Sequence, residues 1–107
     1  MSLRDDLIAA KALIDRPEKW GKGRNRVALA DGTACYCTAG ALYYATRFCG
    51  NVSLAADRAS ACEDALAGLL PPIRYTGIRG FNDDPSTTHA DIMALFDRAI
   101  AAAGDAK

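Results

Sequence analysis

Apolar positions recur with a helical period near the end of the chain. Ile92, Leu95, Phe96, Ala99 and Ile100 fall at i, i+3, i+4, i+7 and i+8, one apolar stripe, while Asp97 and Arg98 point away from it. Thr87 or Thr88 supplies the N-cap, because a hydroxyl can accept from an otherwise orphaned amide of the first turn. With Thr88 as cap, Asp91 occupies the capping-box position. Pro85 keeps this helix from starting earlier, within Asn82-Asp83-Asp84. His89, the only histidine, shares a helix face with Met93, Phe96 and Ile100 and so sits at the edge of the stripe.

The same period predicts three earlier helices. Ser2-Leu3-Arg4-Asp5 starts the first, Leu3, Leu7, Ala10 and Ile14 line it with Ile8 and Leu13 alongside, and Arg16-Pro17 ends it. The second opens at Cys37-Thr38, turns Leu42, Ala45, Phe48 and Cys49 inward and closes at Gly50-Asn51. Ser53 caps the third, with Leu54, Ala61, Cys62, Ala65 and Leu69 on one side and Pro71-Pro72 as its stop. Arg58 falls within that apolar stripe and needs an acid, for which Asp83 and Asp84 are the expected partners. Between the first two helices, Arg26–Cys37 alternates weakly around Asp31-Gly32, which predicts a short hairpin with a two-residue turn. The connection from Ile73 to Asp84 is long for a small helical protein, and such loops tend to be functional. The expectation is a mainly α fold: a small four-helix orthogonal bundle with a minor β-hairpin between helices 1 and 2, one domain over residues 1–107.

Composition narrows the function classes. Half of the 107 residues are hydrophobic, which argues against disorder, and a formal net charge of zero argues against broad, nonspecific nucleic-acid binding. No apolar run reaches the roughly 18 to 20 residues of a membrane span, so no membrane association is expected. The first residues carry acids where a signal peptide carries bases, which points to a cytoplasmic protein with reduced cysteines.

Local charge is less even than the total. Arg16–Arg26 holds five basic residues, one acid and Trp20, the only tryptophan, without any periodicity. Trp20 is either a lid over the core or part of a recognition loop for a phosphate, an RNA or an acidic protein. Lys22, Arg24, Arg26, Arg74 and Arg79 complete that candidate binding surface alongside Trp20. A solvated surface of mixed charge is the bland alternative.

Two chemical constellations also arise. Cys37 stands at a helix start, a position that favours thiolate formation, and His89 could act as its base with Asn82 or Asp83 orienting the ring. That arrangement suits a thiol hydrolase or transferase; otherwise Cys37 packs as a small residue and His89 bonds a loop carbonyl. Cys35, Cys37 and His89 could offer three zinc ligands, but the C-x-C spacing lacks a second knuckle, so no metal and no cofactor are expected.

Cys37-x-x-Gly40-Ala41-Leu42, Phe81-Asn82-Asp83 and Thr88-His89-Ala90-Asp91-Ile92 with Ala99-Ile100 resemble a family of small uncharacterised bacterial and phage proteins. That family is known only as a domain of unknown function. The likeness runs from the first helix through Trp20 to the last helix, and it implies a fold and a source without an activity. The residues themselves point to a non-enzymatic binding or regulatory module. A protein is the first expected partner, and nucleic acid, through the basic loop, is the second.

Overall fold

The computed structural model describes residues 2–47, 52–71 and 77–105. Helix α1 (Leu3–Leu13) starts where the Ser2 hydroxyl accepts from the Asp5 amide at 3.1 Å. It buries Asp6, Leu7, Ala10 and Ile14, whereas Leu3 and Ile8 lie on its outer side, 36% and 41% exposed. A single 3-10 turn follows at Pro17–Lys19, inside the stretch read as loop.

Strands β1 (Arg26–Ala28) and β2 (Ala34–Tyr36) pair antiparallel in the register Arg26–Tyr36, Val27–Cys35, Ala28–Ala34. The Leu29 amide donates to the Thr33 carbonyl at 2.8 Å, leaving a three-residue turn, Ala30–Gly32, in place of the expected two-residue one. Gly32 carries φ 88°, the left-handed backbone that only glycine adopts without strain. Asp31 accepts from the Thr33 hydroxyl and amide, and these bonds hold its carboxyl below the usual carboxylate range.

Helix α2 (Thr38–Thr46) is capped by a thiol: Cys37 Sγ accepts from the Gly40 amide at 3.3 Å. Phe48, Cys49 and the Gly50-Asn51 stop lie outside the described residues. Helix α3 (Val52–Ala67) begins one residue before Ser53, so that serine is inside the helix rather than its cap. Its buried line is Ala55, Ala59, Cys62 and Leu66, while Leu54 is 43% exposed. The expected stripe was therefore out of phase, because the alanines around this helix carry almost no directional signal.

Cys62 belongs to both versions of the stripe and is fully buried. Burial, helped by the negative charge of Asp6, pushes its thiol up to about 12. In the native protein at pH 8, iodoacetamide should leave Cys62 unmodified while alkylating the half-buried Cys35. Peptide mass mapping checks this, and equal labelling of both would show that α3 opens readily.

The Arg58 guanidinium is met by Asp6 of α1, not by Asp83 or Asp84. Nε donates to Oδ2 at 3.0 Å and Nη2 to Oδ1, a two-pronged pair at the edge of the core. Asp83 and Asp84 are used elsewhere, as described below. The expected loop after Pro72 also contains a fifth helix, α4 (Ile78–Asp83), which enters through Gly77 at φ 98°. Helix α5 (His89–Asp105) follows the reciprocal capping box: Asp91 N donates to Thr88 Oγ1 at 3.2 Å and Thr88 N to Asp91 Oδ2 at 2.9 Å.

The protein is thus mainly α with a two-stranded hairpin, and among the described residues there are four longer helices and one short one rather than four alone. Helix α1 packs on both α2 and α5, α3 covers α2, and α4 wedges against α2 and α3. Leu7, Ile14, Leu42, Leu66, Ile92 and Phe96 fill the centre, with Trp20, Tyr36 and Phe81 packed on its edge. Among the described residues, no helix is long and apolar enough to cross a membrane.

Candidate functional site

Helix α4 is six residues long, and its two buried side chains, Ile78 and Asn82, stand one turn apart on the same face. Ile78 enters the core. Asn82, completely buried, carries a polar junction. Its Oδ1 accepts from Trp20 Nε1 at 2.7 Å, from the Thr38 amide at 2.9 Å and from the Thr38 hydroxyl at 2.7 Å. Its Nδ2 donates to the Gly21 carbonyl and to Asp83 Oδ1, both at 3.0 Å. One side chain thereby joins α4, the first turn of α2 and the basic loop.

The neighbours of Asn82 extend the clamp. Asp83 Oδ1 accepts from the Gly23 amide at 2.9 Å, and Lys22 Nζ donates to the Asp84 carbonyl at 2.5 Å. Asn25 Oδ1 accepts from Arg79 Nη1 at 2.7 Å and from the Cys37 thiol at 3.6 Å. The Asn25 backbone lies directly on the first turn of α2: a Cβ on Gly40 would come within 1.9 Å of its carbonyl oxygen. No side chain fits at position 40 with the loop in place, which gives Cys37-x-x-Gly40 a packing reason.

Trp20 is half-buried against the core, its indole nitrogen fully engaged, with Lys22 Nζ 5.7 Å from its ring centroid. His89 is also a neighbour of Trp20, ring centroids 6.1 Å apart, and bonds the Ile14 carbonyl through Nε2 at 2.7 Å. Since a carbonyl only accepts, Nε2 carries the proton. The imidazole therefore joins the start of α5 to the end of α1.

The structure thus gathers Trp20, Lys22, Asn82, Asp83 and Arg79 around one loop and puts Cys37 at its inner edge. It does not join the thiol to the imidazole: Cys37 Sγ bonds Gly40 and Asn25, His89 bonds Ile14, and no hydrogen bond links the two. Among the described residues no three His, Cys, Asp or Glu side chains converge as a metal cluster. Lys22, Arg24, Arg26 and Arg79 are all exposed, whereas Arg74 lies outside the described residues.

The sequence model of the family of unknown function DUF6197 matches residues 1–102. The chain belongs to that family. No curated protein and no solved structure matches it. Membership of DUF6197 brings no activity, so the side chains carry the functional argument.

Beside the loop lies a surface that sequence reasoning passed over. Tyr36, Tyr44 and Tyr43 follow one another with ring centroids 5.3 and 5.4 Å apart. The guanidiniums of Arg47 and Arg26 lie 4.5 and 5.9 Å from the centre of the Tyr44 ring. The signal was available, because Arg47, which closes α2, follows Tyr43 and Tyr44 by four and three residues. Asn25 and Thr38 were also missed; they act through contacts distant in sequence, which spacing does not reveal.

Proposed function

We propose that this protein is a non-enzymatic binding or regulatory module of bacterial or phage origin. It works in the cytoplasm as a single domain over residues 1–107, on the orthogonal helical frame suggested by its sequence. Its recognition element is the basic loop Trp20–Arg26, which engages anionic groups on a protein or nucleic-acid partner. The observation that carries this reading is the clamp itself. Asn82, Asp83 and the Asp84 carbonyl hold Trp20, Gly21, Lys22 and Gly23, so the loop is ordered before any partner arrives. A preformed loop loses less conformational entropy on association than a flexible one. Arg24 and Arg26 project from it as exposed cations.

Retention on immobilised heparin tests the reading. The protein should bind at low salt and elute as salt rises. Arg24→Glu is the cleaner variant, since Lys22 also bonds the Asp84 carbonyl and its reversal removes that tether. Arg24→Glu should elute at lower salt with an unchanged melting temperature, and combining it with Lys22→Glu should weaken retention further. Elution of all variants at one salt concentration would remove the loop from consideration.

A further inference from the structure

We infer that the surface running from the α1–hairpin cleft to the tyrosines of α2 binds single-stranded nucleic acid. This rests on the binding-module reading and names the partner's chemical class. The cleft encloses about 350 Å³, and Arg16, Lys19, Arg26 and Tyr36 line it together with a single acid, Asp15. Lys19 is held over the hairpin turn by Thr33 and Asp31, which fixes its position without removing the cleft's positive excess.

Two of these residues also belong to the aromatic row. Tyr36 lies 5.3 Å from Tyr44, and the Arg26 guanidinium lies 5.9 Å from the Tyr44 ring, so the cationic cleft continues into the tyrosines without a break. The row ends in Tyr43, 54% exposed and braced edge-on by Tyr44 at an interplanar angle of 86°. A large aromatic ring supported on one edge and open to solvent on its face is a stacking surface. Arg26 and Arg47 lie over the neighbouring Tyr44 ring, so two cations stand one ring away from that surface, within reach of the phosphates next to a stacked base.

The combination separates nucleic acid from an acidic protein. Carboxylates need the cations but have no use for an exposed ring beside them, whereas single strands offer both phosphates and flat base faces. A duplex hides its base faces and meets only the cations. The neutral whole with one basic, aromatic stripe suits local binding of a strand rather than coating of a polyanion.

Fluorescence anisotropy with short labelled oligo(dT) and oligo(U), a duplex of the same length, and polyglutamate as competitor tests the inference. Both single strands should bind, more weakly as salt rises, and better than the duplex, with polyglutamate a poor competitor. Tyr43→Ala should weaken binding roughly tenfold or more with the salt slope unchanged, the expected consequence of losing one stacked base. Tyr43→Phe, which keeps the ring, should bind like the unaltered protein. Arg26→Glu should lower both affinity and salt slope. Tyr43 is exposed, so an unchanged melting temperature will show that the loss is not unfolding.

Several outcomes would overturn the inference: no binding of either oligonucleotide at low salt, equal binding of the duplex, equal competition by polyglutamate, or indifference to Tyr43→Ala. If the oligonucleotides fail while polyglutamate binds in an Arg24-dependent way, the loop still works as a binding element and the tyrosine surface does not. If Tyr43→Ala weakens oligonucleotide binding and Arg24→Glu does not, the tyrosine surface stands and the loop is only its neighbour.

Discussion

Asn82→Ala should lower the unfolding free energy by about 3 to 5 kcal/mol, a large share of the roughly 5 to 15 kcal/mol typical of a small domain. The truncation leaves the Trp20 indole N–H, the Thr38 amide and the Gly21 carbonyl without their partner. An orphaned buried polar group costs about 1 to 3 kcal/mol, and three that share one site do not add in full. Urea unfolding followed by tryptophan fluorescence reads the effect directly, since Trp20 is the only tryptophan and bonds Asn82. Its emission should shift to the red in the folded variant as water replaces the lost acceptor. Asn82→Asp keeps the accepting oxygen but places a second carboxylate beside Asp83, so it should also destabilise, and less so at low pH. A loss below about 1 kcal/mol for Asn82→Ala would mean that water restores the junction.

Arg58→Ala should cost about 3 to 5 kcal/mol, because it strands Asp6, only 3% exposed, inside the contact between α1 and α3. The companion experiment is the double replacement Asp6→Leu with Arg58→Met. Removing both charges while keeping similar volumes avoids the stranded carboxylate and should recover most of the lost stability. Thermal or urea unfolding of the single and double variants separates the cases. A loss of at most about 1 kcal/mol for Arg58→Ala would be the behaviour of a surface pair. Failure of the double replacement to recover stability would mean that the pair contributes more than cancelled charge.

Several local signals in the sequence were accurate, although the two-residue turn at Asp31-Gly32 and the Ser53 cap, equally local, were not. The Ser2 cap, the Thr88–Asp91 box and the stripe of Ile92, Leu95, Phe96 and Ala99 all depend on residues a few positions apart. Helix α4 was invisible for the opposite reason. Its six residues include Gly80, too few to show a period, and its place depends on Ile78 in the core and on Asn82 bonding to residues far away. The phase of α3 failed because Ala55, Ala59 and Ala61 are nearly interchangeable in any apolar pattern, although only the first two are buried. Arg58 did need an acid, but the choice between acids depended on that phase. Asp6 was the legible alternative, four residues before the buried Ala10 and on the same face of α1. At the site, Asn82 and Asp83 were singled out as orienters of a histidine, and the structure gives them a loop to hold instead.

The clamp on the loop has a consequence during synthesis. Trp20 and Asn82 are separated by 62 positions, and Gly23 and Asp83 by 60. A ribosome adding about 5 to 20 residues per second needs on the order of seconds to cover that distance. Over that interval the nascent loop, already outside the exit tunnel for part of it, has only water for its indole and amide groups, and α2 lacks the acceptor that its Thr38 amide will use. The basic stretch therefore exists first as an open, positively charged tether and gains its fixed shape only after the residues of α4 emerge.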